Sequence, residues 1–256
     1  VNNSPDTIYK LYFRLTQNAF QPESYKDKME KAGKVFNTFG KYETKKLGTD
    51  ISKVNIEGMD VTFKIDNTIM IINLPKPLYP NSKISINIDF KTYFDQGSMG
   101  RRMKRFDHND FKHFDGVHWY PRISVYDRKF KWTTDQHLGK EFYGDYGVYY
   151  VELDLPNQYI CEATGVLTNQ EEAYPNGLRQ KIDISNFKEQ SKTISKPVIP
   201  DGTYKRWKWM STNVHDFAFT TDPTYRLGET TWKGIKCIAL VQEQNAHAWQ
   251  PTSMYL

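Results

Sequence analysis

Residues 118–167 read HWYPRISVYDRKFKWTTDQHLGKEFYGDYGVYYVELDLPNQYICEATGVL, and this stretch decides the fold. Three runs within it alternate apolar and polar side chains, namely Ile123–Tyr126, Val148–Leu155 and Tyr159–Leu167. Glycine, proline and asparagine lie between the runs. Period-two alternation interrupted by turn-forming residues is typical of half-buried antiparallel strands. The stretch therefore predicts a β-sheet fold.

The same alternation continues on both sides of this stretch. Thr7–Thr16 predicts an early strand whose core residues are Ile8, Leu11, Phe13 and Leu15. The other predicted strands are Ile51–Ile56, Asp60–Ile65, Thr68–Leu74, Ser82–Phe94, Lys181–Phe187, Tyr204–Trp209, Thr212–Thr220 and Gly234–Gln242. Taken together, these strands predict an all-β fold, a saddle-shaped or sandwich-like assembly of mostly antiparallel sheets with many short strands.

Three segments interrupt the strand pattern. Gln21–Asp50 is rich in Lys and Glu and predicts a charged insertion, with a short surface helix at Tyr25–Ala32. Leu74–Pro80 holds three prolines, which remove hydrogen-bond donors, so we expect no central strand there. Asp95–Gly116 is polar, and we expect a long loop that leads into the motif at His118.

Composition places the chain among globular proteins. Hydrophobic residues make up 38% of the 256 residues and charged residues 25%, which excludes a disordered chain. No apolar run reaches the roughly 18 residues that a transmembrane helix needs. The net charge of +5 is a mild excess, and we expect the clusters 101–105 and 205–209 to be solvated surface charge rather than a nucleic-acid site.

The two cysteines leave two possibilities open. Cys161 and Cys237 each lie in an apolar, strand-like run. Two buried free thiols are favoured over a disulfide, because nothing in the sequence shows that the two side chains are close in space.

Several motifs occur in a fixed order along the chain. They are Asn2-Asn3-Ser4-Pro5-Asp6, Gln17-Asn18, Trp119-Tyr120-Pro121-Arg122, Tyr126-Asp127, Glu141-Phe142-Tyr143, Tyr146-Gly147, Val151, Leu155-Pro156, Ala163-Thr164-Gly165, Val214-His215-Asp216-Phe217-Ala218-Phe219, Asp222-Pro223 and Tyr225. This order resembles the N-terminal domain of gluzincin zinc aminopeptidases, the family of aminopeptidase N and leukotriene hydrolase, in its bacterial form.

The resemblance implies a domain organisation. Residues 1–256 are expected to form a single N-terminal β-domain of a longer metallopeptidase, cut at both ends. Residues 234–256 are expected to hold the last strand and the start of a linker to the missing catalytic domain, which is the expected partner. Bacterial relatives of this kind are often exported, which suggests an exported or periplasmic protein.

The family's catalytic motif is missing from this chain. The family binds zinc through an H-E-x-x-H helix and a later Glu. None of the six histidines, His108, His113, His118, His137, His215 and His247, is followed by Glu and by His four residues on. We therefore expect no catalytic or metal-ligating residue here and no peptidase activity from this chain alone, with zinc held in the missing domain.

Substrate contact is the role that the resemblance leaves to this domain. Family members use a Gln, and two residues later often a Glu, in a loop that faces the active site and binds the free amino group of the peptide. These positions fall on His118 and Tyr120, so His118, Trp119 and Tyr120 are the predicted peptide-binding residues. Neither His nor Tyr supplies a fixed negative charge, and packing is an equally good explanation of Trp119 and Tyr120.

Three other functions are alternatives to this one. One of them, a purely structural or partner-binding β-domain, is partly contained in it. A carbohydrate-binding module or other ligand-binding β-module uses exposed aromatic rings, and Trp207 and Trp209 alternate on one strand face as such a platform requires. A nucleic-acid binder uses basic clusters with interleaved aromatics. Neither explains the ordered motifs, so the aminopeptidase-type domain is preferred.

Overall fold

The fold is described from a computed structural model covering residues 1–108, 110–139, 143–175, 177–190, 193, 195–199 and 202–249. The strands are β1 Ile8–Arg14, β2 Thr49–Ile56, β3 Met59–Asp60, β4 Phe63–Asp66, β5 Ile69–Leu78, β6 Ile86–Thr92, β7 Lys104–His108, β8 Phe111–Gly116, β9 Arg122–Ile123, β10 Tyr126–Asp127, β11 Lys131–Trp132, β12 Gly147–Pro156, β13 Ile160–Ala163, β14 Val166–Leu167, β15 Tyr204–Val214, β16 Phe219–Asp222, β17 Tyr225–Trp232 and β18 Ile235–Gln242. The helices are α1 Tyr25–Ala32, α2 Gln170–Ala173, α3 Leu178–Lys181 and α4 Glu243–Trp249, with 3-10 turns at Thr16–Phe20, Glu43–Lys45 and Ile184–Asn186.

Short antiparallel sheets dominate the chain, which confirms the predicted all-β, sandwich-like class. The strand orders are β4-β5-β1-β9, β3-β2-β6, β10-β11, β12-β15-β14, β13-β16-β8-β7 and β17-β18. The chain divides into two compact units, described separately below. Unit 1 is Val1–Lys104 with Gly116–Tyr146, and unit 2 is Arg105–Asp115 with Gly147–Leu256. No helix in the described part of the chain is long and apolar enough to cross a membrane.

Two sheets of unit 1 share one hydrophobic core. The predicted core residues Ile8, Leu11, Phe13 and Leu15 are all buried, at most 7% exposed. They cluster with side chains of the neighbouring strands and of the second sheet, namely Ile51, Val54, Ile56, Met70, Ile72 and Leu78. The period-two pattern thus identified the inward face of β1 correctly, because alternate residues of a strand point to opposite faces.

Strand β5 corrects the expectation for the proline segment. It runs to Leu78 and lies between β4 and β1 in the sheet order, so it is a central strand that includes Pro75 and Pro77. Its pairing with β1 jumps from Lys10↔Asn73 to Ile8↔Leu78, and its pairing with β4 ends at Ile72. The prolines lie where neither neighbour pairs with the strand, so their missing N–H groups interrupt no ladder.

The charged insertion contains the predicted helix. Helix α1 spans Tyr25–Ala32, and the hydroxyl of Ser24 caps it by accepting a hydrogen bond from the Asp27 N–H at 3.1 Å. Lys31 lies 2.8 Å from the Asp27 carboxylate one turn earlier. Because Lys26 and Asp27 are buried, the helix is only partly the surface element that the sequence predicts.

A buried ion pair joins the insertion to the segment after β6. Arg101 Nη1 lies 2.8 Å from Glu43 Oε1, and both side chains are 2% exposed. The Asp95 carboxylate accepts from the N–H groups of Tyr42 and Glu43 at 2.6 and 2.9 Å. Arg101 was expected to be solvated with the rest of the cluster 101–105, and that expectation is wrong for Arg101.

Replacing Arg101 with Met should destabilise the protein by roughly 3–5 kcal/mol, because the Glu43 carboxylate is left buried without its cation. The matched control is the double variant Arg101→Met with Glu43→Gln. It removes both charges and keeps an acceptor for the Gly40 N–H, which donates to Glu43 at 2.7 Å. Urea unfolding of the three proteins measures the difference. A single variant within 1 kcal/mol of wild type, or no less stable than the double variant, contradicts this assignment.

Unit 2 corrects two further expectations. The polar segment Asp95–Gly116 is not one loop, since it contains the strands β7 and β8, which are neighbours in one sheet. Lys181–Phe187 is not a strand, because helix α3 ends at Lys181 and a 3-10 turn covers Ile184–Asn186. Asp183 forms only an isolated bridge with Leu227.

The longest strand pair of unit 2 is β12 with β15, and it buries the two tryptophans. Trp207 is 0% and Trp209 3% exposed, and the Tyr174 ring packs edge-on against Trp207 at 5.2 Å. A sugar-binding platform needs exposed rings, so these tryptophans do not form one. Both cysteines are free thiols as expected, but only Cys161 is buried, and Cys237 is half-buried.

Candidate functional site: the loop at His118

The predicted binding residues lie on the loop between β8 and β9 in unit 1. His118, Trp119 and Tyr120 are all half-buried. His118 adopts a φ of 51°, in the left-handed region that few residues other than glycine occupy. Strand β9 pairs with the end of β1 through Phe13↔Ile123 and Arg14↔Arg122, so the loop lies beside the turn that follows β1.

Gln17 fixes the backbone of this loop. It lies on the 3-10 turn after β1 and is 1% exposed. Its side-chain amide donates to the carbonyl oxygens of Val117 at 3.2 Å and His118 at 3.0 Å. A buried amide that satisfies two loop carbonyls holds the backbone at the residue whose φ is positive.

Aromatic contacts hold the side chains of the loop. The Trp119 ring lies 6.2 Å from the ring of Phe90, and the Tyr120 ring packs edge-on against Trp119 at 5.2 Å. The His118 ring lies 6.4 Å from that of His137, which is 6% exposed. Aromatic rings of unit 1 therefore pack against the loop on several sides.

Other sequence candidates have structural roles. Asp127 accepts from the N–H groups of Lys129 and Phe130 at 2.7 and 2.6 Å and from the Tyr143 hydroxyl. These hydrogen bonds lower the pKa of Asp127, and the bond from the Phe130 N–H has the largest effect. This is the behaviour expected of a carboxylate that stabilises a turn. Asp216 accepts from the Phe217 N–H at 2.8 Å. Glu141 and Phe142, which belong to the ordered motifs, lie outside the described residues.

A cluster in unit 2 escaped the sequence analysis. The Asp222 side chain is fully buried, and one of its oxygens lies 2.7 Å from His108 Nε2 and 3.4 Å from His113 Nδ1. His113 Nε2 lies 3.0 Å from the Asp115 carboxylate, and the Tyr225 hydroxyl lies 3.3 Å from His113 Nδ1. The alternation of Phe and His through 106–115 was the available signal, since residues two apart on a strand share a face. The sequence analysis did not recognise this alternation, because the segment is polar and was therefore expected to form a loop.

Charge pairing shifts the pKa values of this cluster in opposite directions. Burial alone would lower the pKa of His113, but its bonds to Asp115 and Asp222 outweigh burial and raise the pKa to about 9. Burial alone would raise the pKa of Asp222, but bonds from His113, Gln242 and Thr224 lower it to about 2. At neutral pH the cluster is therefore an imidazolium between two carboxylates. It ties together strands β7, β8, β16 and β18.

Among the described residues, no group of three or more His, Cys, Asp and Glu side chains has an arrangement that could hold a metal ion. The carboxylates instead hold the imidazole by hydrogen bonds and charge, which is a fold-stabilising arrangement.

The cluster predicts a pH-dependent stability. A folded pKa of about 9 against an ordinary 6.5 means that the stability from His113 is complete below pH 6.5 and is lost as the pH rises through 9. His113→Gln should therefore cost roughly 3 kcal/mol at pH 6, and the cost should shrink by pH 9.5. Urea unfolding of both proteins at the two pH values measures this. A cost independent of pH would mean that His113 contributes packing and not charge.

Comparison with known proteins gives a likeness in structure only. No protein-family model matches the chain, and no curated protein sequence matches it. Among solved structures it is similar to an M1 zinc metallopeptidase mutant from Deinococcus radiodurans bound to a Tyr-Ser-Ala substrate, with 10% identity and a TM-score of 0.48 over 93% of this chain and 40% of that one. The M1 zinc metallopeptidase from the same organism without the mutation matches with 10% identity and a TM-score of 0.47 over the same shares.

The chain thus spans about 40% of the length of these structures. The bound Tyr-Ser-Ala substrate is a property of the Deinococcus radiodurans enzyme.

Proposed function

We propose that this chain is a non-catalytic N-terminal β-domain of a zinc aminopeptidase-like protein. It caps a peptidase domain and helps to position the amino terminus of a peptide substrate. The order of sequence motifs from Asn2 to Tyr225 supports the family assignment, and the loop at His118 supports the role in binding. Metal-dependent hydrolysis itself belongs to a domain that this chain does not contain.

One observation carries the proposal. Gln17 lies in one of the motifs that resemble the family, and the loop at His118–Tyr120 lies at another. The Gln17 side-chain amide donates hydrogen bonds to the backbone carbonyls of Val117 and His118, at the start of this loop. Two motifs 100 residues apart therefore combine to hold a short loop in one conformation. A binding group works best when its supporting residues hold it in place before the ligand arrives.

The loop departs from the family pattern in its chemistry. Where a carboxylate would pair with the ammonium of the substrate, this chain has the imidazole of His118 and the phenol of Tyr120, neither of which is a fixed anion. A neutral hydrogen bond contributes about 0.5–1.5 kcal/mol, whereas a bond to a charged group contributes more. We therefore propose that amino-terminus recognition by this loop is modest, and that the loop mainly narrows the approach to the peptidase domain.

The kinetics of the full gene product test this role. His118→Ala should raise KM for a peptide with a free amino terminus about threefold to tenfold with little change in kcat, the pattern expected when binding is lost equally in ground and transition states. Tyr79→Ala is the matched control, because Tyr79 is 60% exposed on unit 1 outside the loop. Steady-state assays with free and N-acetylated peptides separate amino-terminus recognition from general binding.

Two results would overturn the proposal. One is a gene product whose reading frame lacks an H-E-x-x-H segment beyond Leu256. The other is a His118→Ala enzyme whose KM and kcat match those of the Tyr79→Ala control.

A further inference from the structure

The helix of the charged insertion turns its apolar face outward. Helix α1 buries Lys26, which is 8% exposed, and Asp27, which is 0% exposed, although both are charged. Tyr25, Met29 and Ala32 are exposed instead, and their spacing of four and three residues places them on one face of a helix. A surface helix ordinarily directs its apolar residues inward and its charges outward, and α1 reverses this arrangement.

Contacts of the two buried charges fix the helix in this orientation. The Asp27 carboxylate lies 2.8 Å from the Lys31 ammonium. The Lys26 ammonium donates to the Gly100 carbonyl at 3.3 Å and lies 4.9 Å from the centroid of the Phe20 ring. Because the partners of Lys26 belong to two segments outside the helix, they fix the rotation of α1 about its axis. The apolar face therefore stays directed away from the core of unit 1.

The chain adds two more exposed apolar side chains just after α1. The Val35 N–H donates to the Glu30 carbonyl at 2.8 Å, which holds the chain against the last turn of the helix. Val35 and Phe36 are both exposed, and Phe36 is 78% exposed. We call Met29, Val35 and Phe36 the α1 tip. Three large apolar side chains exposed within one short segment are typical of a surface that binds a partner or a membrane.

Lysines without acidic partners accompany the α1 tip. The lysines of the insertion that are exposed and form no ion pair within the described residues are Lys28, Lys34, Lys41, Lys45 and Lys46. Lys28 and Lys46 line one hollow of about 320 Å³ beside the start of α1, although they are distant in the sequence. The fold thus brings lysines from both halves of the insertion to the same region.

The carboxylates of the insertion do not neutralise these lysines. Most of them pair with other cations, in the pairs Glu23–Lys31, Asp27–Lys31, Glu30–Lys26 and Glu43–Arg101. The remaining carboxylate of the insertion is Asp50. Asp66 of β4 also lines the hollow, where it accepts a hydrogen bond from the Tyr25 hydroxyl at 3.1 Å. The unpaired lysines outnumber these two carboxylates, so the surface of the insertion is positively charged.

We propose that the charged insertion docks the protein on anionic lipid bilayers. The α1 tip enters the interface, and the lysines bind the phosphates of the headgroups. Exposed apolar side chains combined with lysines are the composition of segments that lie in a membrane interface. Lysine is depleted in protein–protein interfaces, and a second copy of the chain would bring lysines against lysines. This inference goes beyond the proposed function and does not depend on the loop at His118.

Sedimentation of the full gene product with vesicles tests the docking. One set of vesicles is phosphatidylcholine alone, and the other is equal parts of phosphatidylcholine and phosphatidylglycerol. The wild-type protein should bind the anionic vesicles at least about tenfold more tightly, because each lysine near the surface adds to the attraction. High salt should reduce this preference, because it screens the headgroup charge. Equal binding to both vesicles overturns the proposal. So does no binding to the anionic ones, the result expected if another domain or protein covers the α1 tip.

A matched pair of phenylalanine variants tests the α1 tip. Phe36→Ser should weaken binding to the anionic vesicles at least about fivefold, because it removes an apolar side chain from the interface. Phe130→Ser is the control, because Phe130 is also an exposed phenylalanine of unit 1 and has the Lys129 ammonium 4.6 Å from its ring centroid. It should leave binding unchanged. Equal effects of the two substitutions overturn the proposal.

A matched pair of lysine variants tests the charge. Lys28→Gln with Lys34→Gln should lower the affinity for anionic vesicles about tenfold. Lys76→Gln with Lys83→Gln removes the same charge from exposed positions of unit 1 outside the insertion and should have little effect. If both double variants lose affinity equally, the attraction comes from net charge alone and the proposal is overturned. Urea unfolding of each variant should match the wild type, since every substituted side chain is exposed.

Discussion

The pairing of β1 with β9 is the constraint on which the candidate site depends. It is only two residue pairs long, Phe13↔Ile123 and Arg14↔Arg122, yet it joins positions more than a hundred residues apart. The inward face of β1 supplies the core of unit 1, so the strand cannot shift along its axis without exposing that core. The end of β1, and with it Gln17, is thereby fixed beside the loop at His118.

The sequence predicted those parts of the fold whose side chains alternate strictly. β1 shows this, because its predicted core residues Leu11 and Phe13 are two positions apart and both are buried. The hairpin of β7 and β8 was missed because charged residues occupy both faces, and its apolar residues are aromatic rings interleaved with histidines. Lys181–Phe187 was wrongly predicted to be a strand. Its alternation is short, and such a short pattern fits a helical turn equally well.

The candidate site was predictable only in part, for a physical reason. The positions 118–120 follow from a motif order along the chain. The role of Gln17 depends on a contact across 101 positions, which no local pattern contains. The ion pairs Arg101–Glu43 and His113–Asp222 are also non-local. A sequence cannot show that a basic residue in a charged cluster faces inward. The number of basic residues in the sequence is therefore larger than the number of positive charges that the surface can offer to a polyanion.

The left-handed backbone at His118 has a consequence for which residues this position accepts. Asn, Asp and His are enriched among non-glycine residues at positive φ, whereas long unbranched side chains such as Gln and Glu have no such preference and β-branched ones clash. Histidine is one of the residues that this conformation favours. The backbone at residue 118, and not only a ligand, therefore restricts which side chain this position accepts.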